Sequence, residues 1–280
     1  MAPTVKQLLQ EAKQQLADYV EDAYTDSQVL LGYCMQRDRA WLIGHADDPL
    51  ADHIVERFRQ LLAARCAGQP VAHLLGSREF WSMQFRVTAD TLIPRPETEH
   101  LVEYTLQLPL DDNASVLDYG TGSGVVAIVL ATQRPGWDVT AIECSSSALA
   151  VAKENAASHQ AEINFMQACD LSLVPPQSLD LLVSNPPYVA AGDAHLQQGD
   201  VRFEPTMALV AGEDGLDCIR MLVADAHRCL KSSGYLVMEH GFDQGDRVRE
   251  LLAGAGYGNI TTIKDLAGHD RLSAGQTPTI

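Results

Sequence analysis

From residue 115 onward, short apolar runs alternate with stretches of helical length, and few folds accommodate that alternation. Runs at 116–119, 139–142, 163–167, 181–183 and 235–239 are rich in aliphatic residues, the pattern of strands buried on both faces. Helical stretches at 125–131, 148–157, 215–230 and 246–253 lie between or after them. Strands joined by helices in this way wind into an open, mostly parallel sheet covered on both sides. Residues 259–264 and 271–274 read as a closing antiparallel pair, which gives about seven strands. The expected class is therefore α/β, a doubly wound, seven-stranded, Rossmann-like sheet.

Ahead of it the period changes. Thr4 can cap a helix whose apolar residues Val5, Leu8, Leu9, Ala12, Leu16 and Val20 recur at helical spacing. A second helix is expected over 26–35, starting near Asp26 or Ser27. Asp48-Pro49 offers a cap and a first-turn proline for another, which runs to Cys66 and stops at Gly68. Residues 1–75 thus read as a small helical bundle. It holds no clustered His, Cys or carboxylates, so docking of a partner and simple packing onto the larger domain both stay open. Phe80-Trp81 and Phe85-Arg86-Val87 suggest a hairpin within a linker, 76–96. The sheet domain then occupies 97–280. The run Ile93-Pro94-Arg95-Pro96-Glu97-Thr98-Glu99 spans that boundary; in it Pro96 suits a first helical turn and two prolines pin Arg95.

Charge excludes one class of partner. The net charge of −17 divides as −3 over residues 1–75 (7 basic, 10 acidic) and −14 over 76–280 (13 basic, 27 acidic). Neither part carries the basic footprint that gripping nucleic acid requires, so no nucleic-acid partner is expected. No apolar run approaches the roughly 18 residues of a membrane span, and no membrane is expected. Residues 1–15 lack the apolar core of a secretory signal, which points to the cytoplasm. The six cysteines are scattered with no C-x-x-C pair, which argues against a disulfide framework and against a metal site. They are expected as small, mostly buried thiols.

Two loops carry chemistry. The first is Gly120-Thr121-Gly122-Ser123-Gly124, directly after a strand, where glycines let backbone approach a ligand closely. Its spacing is not the G-x-G-x-x-G that receives a pyrophosphate. Asp118 lies before it, where a carboxylate can meet an ammonium group. Glu143 ends the next strand, where it can accept two ribose hydroxyls, and Asp170 follows the third, placed for an adenine amine. An amino acid joined to adenosine without phosphate satisfies all three acids: S-adenosylmethionine. The second loop is Asn185-Pro186-Pro187-Tyr188, which ends the fourth strand abruptly. The side-chain carbonyl of Asn185, the backbone carbonyl of Pro186 and the flat face of Tyr188 suit a planar –NH2 group. The 190s loop that follows is long and polar and should close over a substrate. In it Arg202 and Glu204 are candidates for substrate contact or, the favoured reading, for anchoring the loop.

These segments resemble the seven-stranded S-adenosylmethionine-dependent methyltransferases. With Ile93 to Glu99, the run His195-Leu196-Gln197-Gln198-Gly199-Asp200-Val201-Arg202-Phe203-Glu204-Pro205, and Gly268-His269-Asp270-Arg271, the resemblance narrows to the bacterial peptide chain release factor N5-glutamine methyltransferases. It covers nearly the whole chain. It implies that Asn185, Pro186 and Tyr188 are catalytic, and that Asn185, Pro186, Pro187 and Tyr188 bind the substrate glutamine. It implies cofactor contacts at Asp118, Gly120, Thr121, Gly122, Ser123, Gly124, Glu143, Asp170, Leu171 and Asn185. The product would be S-adenosylhomocysteine and the partners class I release factors, with the helical bundle as docking domain. The chain departs from the family pattern at Tyr119, at Glu143 in place of aspartate, and at Leu171, where some members stack tryptophan on adenine. The loop alone leaves open a ribosomal-protein glutamine or an exocyclic base amine of RNA or DNA, since both present two N–H donors.

Overall fold

The computed structural model describes residues 2–279. The chain groups into two compact units, Met1–Ser77 with Ala194–Phe203, and Arg78–Asp193 with Glu204–Ile280.

The first unit is helical: α1 (Val5–Leu16), α2 (Ala23–Met35), α3 (Arg39–Gly44), α4 (Asp52–Cys66) and α5 (Val71–Leu75). Thr4 opens α1 with a capping box: its hydroxyl accepts the Gln7 N–H (3.3 Å) and Gln7 Oε1 accepts the Thr4 N–H (2.9 Å). Leu8, Leu16, Leu30, Leu31, Phe58 and Leu62 fill the core between helices. Three details differ from expectation. Helix α2 begins a turn early because Asp22, not Asp26, accepts the capping N–H, from Thr25. Asp48 does not cap α4: Ala51 precedes that helix, the Asp48 carbonyl instead accepts the Val5 N–H of α1 (3.1 Å), and Pro49 pairs with Thr4 in an isolated bridge. Helices α3 and α5, of 6 and 5 residues, are too short to show a period in sequence. Buried Arg65 of α4 donates Nε to Asp26 (2.7 Å) and Nη1 to Asp200 (2.6 Å) and the Gln69 carbonyl (3.0 Å). That guanidinium fastens Ala194–Phe203 to the bundle.

The hairpin of β1 (Ser77–Phe80) and β2 (Met83–Arg86) turns through Trp81 and Ser82, both at positive φ (53° and 57°) as a tight primed turn demands. There follow α6 (Thr98–Gln107), β3 (Ser115–Tyr119), α7 (Val125–Gln133), β4 (Asp138–Glu143), α8 (Ser146–Ser158), β5 (Asn164–Gln167) and β6 (Leu179–Ser184). Then come α9 (Asp217–Cys229), β7 (Leu230–Glu239), α10 (Gly245–Gly254), β8 (Gly258–Lys264) and β9 (Asp270–Gln276). The seven-stranded sheet has the order β5-β4-β3-β6-β7-β9-β8, with β9 antiparallel to both neighbours.

Side chains alternate across the pleat. Val116, Leu181, Val183 and Val237 pack with α6, α7 and the hairpin on one face. Leu117, Leu182, Leu236 and Met238 pack with α9 and α10 on the other. Each such aliphatic burial contributes roughly 1.5–3 kcal/mol, which pins the register: a one-residue slip would exchange the faces.

The cysteines require a correction. Cys144 and Cys169 form a disulfide, Cα atoms 4.5 Å apart, while Cys34, Cys66, Cys218 and Cys229 are free. The two lie 25 residues apart in sequence, but parallel pairing sets Glu143 opposite Gln167 and so brings the residues just beyond together. Spacing along the chain carries no trace of this. Among the described residues no helix is long and apolar enough to cross a membrane.

Candidate active site

The sheet reverses direction of growth at β3: β4 and β5 extend one way, and β6 starts the other. Such a switch point leaves a crevice beyond the strands' carboxyl ends. Register places Tyr119 opposite both Ile142 and Ser184, and Ser184 opposite Met238. Gly120, Glu143, Asn185 and Glu239 therefore emerge along one edge. A buried Ser184 hydroxyl donates to the Tyr119 carbonyl (2.8 Å) and closes the sheet at that point. The crevice holds two adjoining recesses that share Leu92, Gly120, Gly122 and Asn185.

The glycine loop forms the floor. Gly120 and Gly122 sit at φ 70° and 56°, and a Cβ added at either would meet no atom within 4 Å. The space they leave is the crevice itself. Gly124 answers a different need: its φ is 87° and a Cβ there would stand 3.2 Å from that of Ala152, so it lets α7 and α8 approach. Buried Asn155 of α8 holds the loop from behind, donating to the Ser123 carbonyl (2.8 Å) and the Arg86 carbonyl (3.0 Å) while accepting the Arg86 N–H (2.8 Å).

Asp118 is 1% exposed and borders the smaller recess with Thr121 and Ser123. Its Oδ2 accepts the Thr121 hydroxyl (2.6 Å) and the Ala127 N–H at the start of α7 (3.2 Å). Burial pushes its carboxyl up to about 7, against those two donors and with help from the Glu143 charge. A buried carboxylate with so little compensation is suited to a cation. Glu143 borders the larger recess. Its Oε2 accepts the Gly122 N–H and its Oε1 the Ser145 N–H, both at 2.9 Å. Each oxygen keeps a further lone pair, so the group can accept from a diol while the backbone fixes it. Ala148, Ala168 and Cys218 supply apolar wall.

Two expected cofactor residues are not brought to the crevice. Asp170 is exposed, accepts the Ser172 N–H (2.9 Å), and borders neither recess. Leu171 is fully buried in the core beneath α9, where its side chain has no face for an adenine.

Asn185 borders both recesses and Pro187 the larger one. Pro186 is buried and Tyr188 half-buried, and neither lines the recesses. The Asn185 Nδ2 donates to Thr98 Oγ1 (3.0 Å), and the Thr98 hydroxyl donates to Glu239 Oε2 (2.8 Å). Tyr188 donates its hydroxyl to Glu239 Oε1 (3.0 Å), and its carbonyl accepts from Gln244 Nε2 (3.0 Å). Burial pushes the Tyr188 phenol upward, reinforced by the Glu239 charge, so it remains a donor. Burial also raises the Glu239 carboxyl, offset by its two hydroxyl donors and by Arg271. Neither Thr98 nor Glu239 stands out in sequence. Thr98 lies inside the flagged run 93–99 and Glu239 ends a recognised strand, but nothing local joins them to Asn185.

Glu204 anchors its segment. Its buried carboxylate accepts the Ile93 N–H (2.9 Å) and pairs with Arg95. Arg202 instead groups with the helical unit, its guanidinium over the Phe203 ring. Among the described residues no cluster of His, Cys, Asp and Glu could hold a metal ion.

Comparison with known proteins matches two family models, the PrmC N-terminal domain over residues 7–76 and the methyltransferase small domain over 98–203. A release factor glutamine methyltransferase of Shewanella oneidensis is 43% identical, covering 97% of this chain and 96% of that protein. One from Vibrio cholerae is 43% identical over 100% and 99% of the two chains. One from Salmonella typhimurium is 40% identical over 96% and 97%. Among solved structures, the hMettl16 catalytic domain superposes with a TM-score of 0.58 at 15% identity, over 78% of this chain and 83% of that one. A methyltransferase from Pyrococcus furiosus gives 0.54 at 16%, over 79% and 98%. At those identities the likeness is one of fold.

Proposed function

The chain belongs to the release factor glutamine methyltransferase family, and from that premise we propose that it transfers a methyl group from S-adenosylmethionine to the side-chain amide nitrogen (N5) of the glutamine in the Gly-Gly-Gln motif of class I peptide chain release factors. One observation carries the reading: the Asn185 amide turns its N–H to Thr98, and borders both recesses of the crevice that Asp118 and the glycine loop floor.

The residues present fit the cofactor. Asp118 would hold its ammonium and Glu143 its ribose diol, and the open space at Gly120 and Gly122 would admit its body. When bound, S-adenosylmethionine supplies an electrophilic methyl on sulfur. A carboxamide nitrogen is a weak nucleophile because its lone pair is delocalised into the carbonyl. Asn185 Oδ1, which borders both recesses, would accept one of its N–H bonds and the Pro186 backbone carbonyl, next along the loop, the other, orienting the nitrogen and strengthening as positive charge develops there. Tyr188, whose hydroxyl is tied to Glu239 (3.0 Å), would hold the loop beside the amide. With the cofactor bound, the nitrogen would take the methyl as the carbon–sulfur bond breaks and then lose one proton to water, leaving S-adenosylhomocysteine. No general base is required, since the proton can leave after transfer, and much of the rate should come from positioning.

The helical unit docks the protein substrate. Tyr19, Tyr24, Val29, Tyr33 and Ile43 are exposed on it and offer apolar surface for that contact. Labelled S-adenosylmethionine, the purified chain and a release factor, a ribosomal protein or duplex DNA decide the substrate. Label on the motif glutamine, located by peptide mass spectrometry, is the expected result. Label in the DNA alone would sink the proposal.

A further inference from the structure

We propose that Thr98 and Glu239 are positioning residues that set the polarity of Asn185, so that its carbonyl oxygen rather than its NH2 meets the acceptor nitrogen. The inference rests on the function proposed above and deepens it. An asparagine amide has two branches of nearly equal shape and opposite hydrogen-bonding sense. Turned the wrong way, Asn185 would present two N–H groups to a substrate that itself presents two N–H groups, and the site would repel the group it has to hold.

The network around it resolves the ambiguity. A carboxylate only accepts, and both Glu239 oxygens are engaged, Oε2 by Thr98 at 2.8 Å and Oε1 by Tyr188 at 3.0 Å. Thr98 has one hydroxyl proton, and Glu239 takes it. What Thr98 has left for Asn185 is a lone pair, so the amide must offer Nδ2, at 3.0 Å, and Oδ1 is left for the crevice. Burial keeps water from reversing this order: Thr98 is 2% and Glu239 1% exposed. The same carboxylate orders Tyr188, so one acceptor group at the end of β7 fixes two residues of the loop that follows β6. The segments that converge here are far apart in sequence, and the ends of β6 and β7 are brought together by parallel pairing of Ser184 with Met238.

The test uses the full chain, saturating labelled S-adenosylmethionine, and the substrate that wild type methylates best. Thr98→Val keeps shape and removes the hydroxyl. It is expected to lower kcat about 10- to 100-fold, with KM for the protein substrate and affinity for S-adenosylhomocysteine each within about threefold of wild type. Thr98→Ser restores the hydroxyl and should bring kcat back to within about threefold. Glu239→Gln puts an NH2 against either Thr98 or Tyr188, reverses one link, and should lower kcat by at least about tenfold. If it does not fold, the Thr98 pair decides alone. Thr98→Val within twofold of wild type overturns the inference, and so does equal impairment of Thr98→Val and Thr98→Ser. Methylation by wild type of a base amine instead of a release factor sinks the substrate reading only, and the Thr98 series then runs on that amine. Wild type that methylates nothing overturns both.

Discussion

The proposed cofactor floor and the proposed acceptor clamp lie on the same sheet edge but are built by opposite means. The floor is nearly contiguous: Asp118 and Gly120 to Gly124 follow one another, and Glu143 is tied to them through the Gly122 N–H. Backbone groups do most of the holding. The clamp is convergent: Asn185 and Tyr188 depend on Thr98 from α6 and Glu239 from β7, 87 and 51 residues away from their partners in sequence. A contiguous site is robust to what happens elsewhere and visible in a motif. A convergent site is only as good as the fold that assembles it.

This contrast predicts where substitutions separate the two. The largest effect is expected at Asn185→Ala, which removes an acceptor that strengthens as charge develops on the nitrogen. A loss of about 10²–10³ in kcat is expected, with affinity for S-adenosylhomocysteine within about threefold. Single-turnover transfer and calorimetric binding of the product check it. Undiminished turnover would mean that the clamp is not where transfer happens.

The floor should break in the other coordinate. Asp118→Asn can place its amide oxygen where Oδ2 now accepts Thr121 and Ala127, so the loop survives while the charge is lost. Cofactor affinity should fall about 10- to 100-fold, as for a charged partner removed from a buried pair. Ligand-free protein should become more stable at pH 8, because it no longer buries an unpaired carboxylate.

Acid sharpens that prediction. Burial raises the folded-state value of Asp118 to about 7, from an ordinary 3.8. The stability this contributes is fully present below the unfolded value and is lost as pH rises through about 7. The melting difference between Asp118→Asn and wild type should therefore be large at pH 8 and shrink towards pH 5. Cofactor binding selects the ionised form, so affinity should weaken by up to about tenfold per pH unit below 7, with proton release measurable by calorimetry in buffers of different ionisation heat. A flat profile would remove Asp118 from the ammonium.

What could be read from sequence follows the same division. Strands and long helices were legible because hydrophobic period is local, and the final antiparallel pair was found for that reason. The glycine floor was legible because its residues are neighbours. Cys144 and Cys169, Thr98 and Glu239 were not, since only strand register brings them together. Residues 190–204 read as a loop that closes over a substrate; the structure adds that 194–203 group with the helices, where Asp200 meets buried Arg65. Asp170 and Leu171 show the reverse: a position expected from the strand order does not by itself bring a side chain to the border of the crevice.

The smallest predicted effect asks whether floor and clamp are mechanically separate. Ser184 sits on β6, and its buried hydroxyl donates to the carbonyl of Tyr119 on β3, directly beneath both loops. Ser184→Ala leaves that carbonyl without this donor and should cost about 1 kcal/mol, or roughly 2–4 °C in Tm. Because the strands also pair through Val116, Leu117 and Asp118, register should hold, and kcat and cofactor affinity should each stay within about twofold. A fall in both together would show that the two regions share one deformable support at the switch point. A fall in kcat alone would place the weakness on the clamp's side, where assembly depends on distant segments and small displacements are not absorbed by neighbouring backbone.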